Sequence, residues 1–270
     1  MRKLVTAVLT AALLVCVSAK AQQPAPADLP DSVALVAEVP SPGSLSEQVN
    51  AFSKGVYGRG TPAEALYRPL KRLLNLQEPV EDVVDMQHPL RLVVFNPPRH
   101  AAPVLLVKVS DAEAYLDSQS EEEKKKKSGD IRMLKPPMKA VGRMGNLLVM
   151  SRQKKATAQA IKDLEGTALA KKKPLYGTGD ITVEARPSDV LASLEEMPRN
   201  PLKILKQRMQ KELAAKGKQA KMARQMLLAE LEALESIGTQ TDSMLETISL
   251  GKKGIRMECR ITAKRGSGLS

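Results

Sequence analysis

Few residues in this chain have the types and spacing that acid–base or metal chemistry needs. The two histidines, His88 and His100, have no second ligand at the spacing of a zinc site. Asp82 and Asp85 precede His88, and a carboxylate beside an imidazole could act as an acid–base pair. The interpretation that this pattern favours is a turn with a capping aspartate before a strand. The sequence therefore predicts no metal and no cofactor here.

A serine offers the second candidate for chemistry. Ser151 and Lys154 match the S-x-x-K spacing of penicillin-binding enzymes, but the Lys-Thr-Gly and Ser-Asp-Asn motifs that accompany it are missing. The position is also a strand-to-helix turn, where serine is a natural N-cap. A hydrolase that uses Asp85, His88 or Ser151 remains an open alternative, and it requires these side chains to meet in one pocket. No residue is assigned as catalytic.

Positive charge is concentrated in one segment. The whole chain has a formal charge of +12, and residues 199–224 carry nine basic side chains against Glu212 alone. One interpretation is a solvated helix face. The other is a peripheral anion-binding face for a membrane surface or an acidic polymer. The side chains assigned to this face are Lys203, Lys206, Arg208, Lys211, Lys218, Lys221 and Arg224.

The N-terminus has the pattern of a cleavable signal peptide over residues 1–21. Arg2 and Lys3 precede an apolar run over 4–17, and Ala19-Lys20-Ala21 matches a cleavage site. We expect export to the periplasm or the extracellular space, with no transmembrane segment in the mature chain. Partners would be an envelope protein or an anionic surface. Nucleic acid is not expected, because the chain has only two Phe, four Tyr and no Trp for base stacking.

The segment over residues 201–237 has the longest helical pattern in the chain. Its apolar residues recur at steps of three, four or seven and form one stripe. The pattern predicts a long helix, or a helical hairpin if the chain breaks at Gly217, with Gly238 as its stop. The one cysteine beyond the signal peptide, Cys259, alternates with apolar neighbours, which predicts a buried, inert thiol.

Short strand-like runs surround this helical segment. They predict an α+β fold with mostly antiparallel sheet covered by helices. The expected organisation is a disordered leader over 22–31, a first α+β unit over 32–165, a linker over 166–179 and a second, incomplete unit over 180–270. The runs VAEVPS and VEARPS, which begin at Val36 and Val183, suggest a repeated strand–helix–hairpin unit 147 positions apart.

These patterns resemble a family of uncharacterised secreted bacterial proteins. The resemblance rests on VVDMQHPLRLVVF (83–95), PVLLVKVSDAEAYL (103–116), GNLLVMS (145–151) and RGSGLS (265–270). It implies a signal peptide followed by repeated strand–helix–hairpin units. It implies no activity and no site residues. We therefore expect an exported envelope protein with a non-enzymatic role in binding or assembly.

Overall fold

The strands form one antiparallel sheet with helices on both faces. The computed structural model describes residues 29–96, 103–119, 131–133, 138–176, 179–195, 204, 207, 235–251 and 254–266. Besides the helical residues 204, 207 and 235–240, these residues contain nine strands, six α-helices and one 3-10 helix. The predicted α+β class and antiparallel pairing are confirmed.

The sheet joins both halves of the chain. Its strands are β1 (Val33–Val39), β2 (Leu90–Phe95), β3 (Val104–Lys108), β4 (Arg132–Met133), β5 (Ala140–Met144), β6 (Leu147–Ser151), β7 (Ile181–Ala185), β8 (Thr241–Gly251) and β9 (Gly254–Ala263). Their order across the sheet is β4-β5-β6-β3-β2-β1-β7-β8-β9. Because β1 pairs with β7, residues predicted to form two separate units lie in a single sheet.

The helices lie mostly between consecutive strands. They are α1 (Pro42–Tyr57), α2 (Ala63–Leu74), α3 (Val80–Val83), α4 (Ala112–Gln119), α5 (Lys154–Leu164) and α6 (Pro187–Glu195), with the 3-10 helix at Ala168–Ala170. The first, α1, begins after Ser41, whose hydroxyl accepts a hydrogen bond from the Ser44 N–H at 3.2 Å. It ends at Gly58, in the left-handed region with φ 69°.

The central strands are apolar on both sides because both sides are covered. Along β3, Leu105 and Val107 face a cluster formed with α2 and α4, while Val104 and Leu106 face a cluster formed with α5 and the 3-10 helix. A strand buried on both faces has a continuous apolar sequence rather than an alternating one. This explains the run LLV within β3.

Two segments predicted as loose connections are packed against the sheet. Residues 29–31, the end of the predicted leader, are described, and Leu29 lies 4% exposed in a hydrophobic cluster with Val33. Arg186 donates a hydrogen bond to the Leu29 carbonyl at 2.9 Å. The predicted linker over 166–179 contains the 3-10 helix and the buried side chains of Leu169 and Tyr176. The linker prediction rested on the lysines, glycines and proline of this segment, and it did not identify these two buried residues.

The described residues at the end of the predicted long helix are helical beyond its predicted stop. Residues 235–240 are helical, so helical structure continues past 237 and past Gly238. A Cβ at Gly238 would lie 2.9 Å from the Leu191 Cδ1 on α6, so this glycine allows two helices to approach closely. Residues 196–203, 205–206 and 208–234 lie outside the described residues.

Candidate functional site

The acid–base candidates lie at one end of β3. His88 is buried, with its Nδ1 3.1 Å from the Pro89 carbonyl oxygen. Burial lowers the pKa of His88, and the charges of Arg91 and Lys108 lower it further. The Asp85 carboxylate accepts the Gln87 N–H at 3.1 Å and lies 3.9 Å from the Lys108 Nζ. Asp85 therefore closes a turn, as the favoured interpretation of this pattern expects.

Ser151 lies at the far end of β6 from the acid–base candidates. Lys108, beside Asp85, is level with Leu147 on β6, and Ser151 is four residues further along that strand. Four residues of strand span about 13 Å. The Ser151 hydroxyl donates to the Gln153 carbonyl at 2.7 Å and lies 3.0 Å from the Thr157 hydroxyl. The three candidate hydrolase residues therefore do not meet in one pocket.

A shallow, open depression lies between α1 and the start of α2. It is lined by Ser46, Glu47, Asn50, Gly60, Thr61, Pro62 and Ala63. This lining contains one carboxylate and no imidazole, and it includes none of the candidate residues Asp85, His88 and Ser151. Across the described residues, no group of three His, Cys, Asp or Glu side chains is placed to hold a metal ion.

The residues of the predicted anion-binding face, from Lys203 to Arg224, lie outside the described residues, as does the predicted signal peptide. Within the part of the chain that the structure describes, no helix has the length and apolar character needed to cross a bilayer.

A fully buried ion pair lies near the middle of the sheet. Glu38 and Arg91 are direct partners across β1 and β2, and the Arg91 Nε donates to the Glu38 Oε2 at 2.7 Å. The other Arg91 nitrogens donate to the carbonyls of Leu169, Lys171 and Lys173 at 2.8–2.9 Å. The Arg91 side chain thus attaches residues 169–173 to β2.

Tyr176 and Glu184 extend this buried cluster. The Leu175 N–H donates to the Glu38 carboxylate at 3.0 Å, and the Tyr176 hydroxyl donates to the Glu184 Oε2. Burial raises the pKa of Tyr176 far above its ordinary value, and the Glu184 charge raises it further. Because its donors and acceptors are used internally, we assign this cluster a structural role. The sequence signal was a charged residue inside each of two apolar strands, VALVAEV and LRLVVF.

Glu246 is a buried carboxyl with an unsatisfied oxygen. It is 2% exposed on β8, and its Oε1 has no hydrogen-bond partner among the described residues. Its strand partners are Val183 on β7 and Cys259 on β9. Burial raises its pKa. The sequence does not predict this residue, because a glutamate in SMLETIS resembles any solvent-facing position of an edge hairpin.

The strongest candidate for an interaction site is the outer edge of β9, which we call the β9 edge. β9 is ten residues long and pairs with β8, and no other described strand pairs with it. At the opposite edge of the sheet, two described residues, Arg132–Met133, form β4. Ile255 is 55% exposed and Ile261 is 40% exposed. A long edge strand with exposed apolar side chains is a template for pairing with another chain.

The backbone direction at the β9 edge follows from the neighbouring strands. On β8, the Ile248 carbonyl accepts the Asp180 N–H and the Leu250 N–H donates to the Asp180 carboxylate, so both groups point away from β9. Their partners on β9 are Met257 and Ile255. In an antiparallel ladder both members of such a pair turn their backbone groups away from each other. The odd-numbered residues of β9 therefore present N–H and C=O groups to the open side.

Comparison with known proteins gives no relative for this chain. No family model, curated protein or solved structure matches it. Function must therefore be argued from the geometry of its own residues.

Proposed function

We propose that this chain is an exported envelope protein that acts by assembly, through strand addition at the β9 edge, and not by catalysis. The observation that carries the proposal is the length and apolar exposure of β9, whose outer edge pairs with no other described strand. Main-chain hydrogen bonds supply affinity in strand addition, and alternate side chains supply specificity. Export rests on the signal-peptide pattern of residues 1–21.

We further propose that the sheet is built from two related units. Val36 pairs with Glu184 and Ala37 pairs with Val183. A shift of 147 positions, the offset between VAEVPS and VEARPS, converts Val36 into Val183 and Ala37 into Glu184. Each pair thus joins one residue of β1 to the counterpart of its neighbour on β7. A two-fold axis between β1 and β7 would relate the two pairs in the same way. Each strand is also followed by a helix that begins with proline, α1 at Pro42 and α6 at Pro187.

The two-unit arrangement supports the role of the β9 edge. Counted outward from the axis, the strands are β1, β2 and β3 on one side and β7, β8 and β9 on the other. β9 is thus the counterpart of β3. The outer edge of β3 carries an antiparallel strand, β6, over the pairs from Leu105–Met150 to Lys108–Leu147. The equivalent edge of β9 has the geometry to accept an added strand.

The proposal can be tested in living cells with a photo-crosslinking amino acid. Placed at Ile261, beside the β9 edge, it should give a covalent adduct in the exported fraction. Placed at Tyr57, which is 69% exposed at the end of α1, it should give none. N-terminal sequencing of the exported chain should show cleavage after Ala21. Retention of the uncleaved chain in the cytoplasm would contradict export, and equal adducts at both positions, or none at either, would contradict assembly at β9.

A further inference from the structure

We propose that the strand added at the β9 edge is β9 of a second copy of this chain, paired antiparallel about a two-fold axis at Cys259. This inference names the partner for the assembly role proposed above and rests on that role. It makes the nine-stranded sheet continuous through two copies. The chemistry of β9 itself selects this partner and this register.

The faces of the sheet restrict the registers that are available. A two-fold axis perpendicular to the sheet keeps each face on its own side, so each residue must pair with one of the same parity on the second copy. Odd-numbered residues of β9 pair with odd-numbered ones. These are the residues whose backbone groups point to the open side, and they would exchange both hydrogen bonds with the added strand.

Charge decides between the remaining registers. Centring the pair on Glu258 places two glutamates opposite each other and also sets Arg256 opposite Arg260. Centring it on Arg260 places two arginines opposite each other. Like charges that are direct cross-strand partners are destabilising. Both registers are therefore disfavoured by residues that lie on one face of β9.

Three registers avoid like charges, and they differ in length. Centring the pair on Ile261 leaves about five residues of β9, 259–263, paired. Centring the pair on Met257 extends the pairing into the Gly251–Gly254 turn and leaves about seven residues of β9 paired. Centring it on Cys259 pairs residues 255–263 throughout. That register sets Glu258 opposite Arg260 of the second copy and Met257 opposite Ile261 of the second copy. Opposite charges on one face and apolar side chains on the other are then complementary in each half of the interface.

In this register Cys259 lies on the two-fold axis, so the distance between the Cys259 residues of the two copies tests the register. Cys259 lies opposite Glu246 on β8, with its own backbone groups turned to the open side. In a hydrogen-bonded antiparallel pair the two Cα atoms lie about 5.5 Å apart. A disulfide spans Cα separations of roughly 4.4–6.8 Å. Two Cys259 thiols at the axis are therefore within reach of oxidative cross-linking.

The first experiment uses the full chain with Cys16→Ser, which leaves Cys259 as its one thiol. Copper phenanthroline, which accepts the electrons of the two thiols, should convert it to a dimer on a non-reducing gel. The matched Cys16→Ser, Cys259→Ser chain should stay monomeric. A chain that remains monomeric in both forms would overturn the Cys259 register.

A second experiment tests the register without relying on the native thiol. In the background of Cys16→Ser and Cys259→Ser, one chain carries Met257→Cys and the other carries Ile261→Cys. Each variant alone should cross-link poorly. In this register residue 257 of one copy lies four positions along the strand from residue 257 of the second copy, a distance of about 13 Å, and the same holds for residue 261. The mixture should form a mixed disulfide. Equal cross-linking in each single-variant sample would contradict the proposed register.

A third measurement separates this inference from the assembly role. Ile261→Lys places a charge in both halves of the interface, and we expect the dimer dissociation constant measured by sedimentation to rise about tenfold. Tyr57→Lys, a surface change on α1, should leave it unchanged, and circular dichroism checks that both variants fold. If the photo-crosslinker at Ile261 gives an adduct that is not twice the mass of the chain, the second copy is the wrong partner while assembly at β9 stands. If it gives none, both proposals fail.

Discussion

Arg91 on β2 and Glu38 on β1 form a direct cross-strand ion pair with no solvent exposure on either side chain. The pair does more than neutralise two charges, because Arg91 also donates to three carbonyls of residues 169–173. A buried arginine needs such a full set of acceptors to offset the loss of its hydration. The pair therefore couples the sheet to the segment that connects its two halves.

Replacing Arg91 with methionine should destabilise the chain by about 3–5 kcal/mol, because it leaves the Glu38 charge buried without its partner. Urea unfolding followed by circular dichroism measures the change. Arg132 provides the matched control: it pairs at 2.6 Å with Asp117, but both side chains are exposed. Arg132→Met should cost less than about 1 kcal/mol. Similar losses for the two variants would contradict a special role for the buried pair.

The same substitution should open residues 171–173 to trypsin. The Lys171 carbonyl, which belongs to a peptide bond that trypsin would cut, accepts a hydrogen bond from Arg91, and so does the Lys173 carbonyl two residues later. Removing these bonds lets the segment enter a protease site more often. We expect faster cleavage after Lys171 and Lys172 in Arg91→Met, followed by mass spectrometry under native conditions; the bond after Lys173 resists trypsin because Pro174 follows it. Cleavage after Lys155, on α5, should keep its wild-type rate at early times, and equal acceleration there would indicate global unfolding instead.

Stability should depend on pH through Glu246. Burial raises the pKa of its carboxyl in the folded chain above the ordinary value of 4.5. The folded state therefore holds this proton more tightly than the unfolded state does, and stability falls as pH rises from about 4.5 through the folded pKa. Glu246→Gln removes this loss. The free energy of unfolding in urea should therefore favour the variant over wild type more strongly at pH 7 than at pH 4. The same difference between variant and wild type at both pH values would contradict the assignment.

Two glycines with positive φ should differ in their tolerance of alanine. Gly179 has φ 89°, and a Cβ there would overlap the Thr247 Cγ2 and lie 3.4 Å from the Ile248 carbonyl oxygen. Gly145 has φ 58°, and its Cβ would meet open space. Gly145→Ala should cost about 1 kcal/mol from backbone strain alone, and Gly179→Ala should cost about 1–3 kcal/mol more from overpacking. Thermal unfolding compares them, and equal losses would mean that the Thr247 contact relaxes without cost.

Local patterns determined most of the secondary structure. Residues 154–164, whose buried positions recur at helical spacing, form α5, and the β-type runs LRLVVF and ITVEA form β2 and β7. These elements follow from periodicity and from turn residues, which are local properties of the chain. The α+β class with antiparallel pairing follows from the same signals, because hairpins such as β5–β6 and β8–β9 join neighbouring strands.

Tertiary structure alone decided how the two halves meet and which polar residues share an environment. Nothing local places Val36 beside Glu184, or brings the carbonyl of Lys173 to Arg91, because these contacts join residues more than 80 positions apart. The sequence did suggest Asp85, His88 and Ser151 as candidates, but only the register of β3 with β6 separates them. Residue type determines which chemistry is available, whereas strand order and register determine which groups approach closely enough to use it.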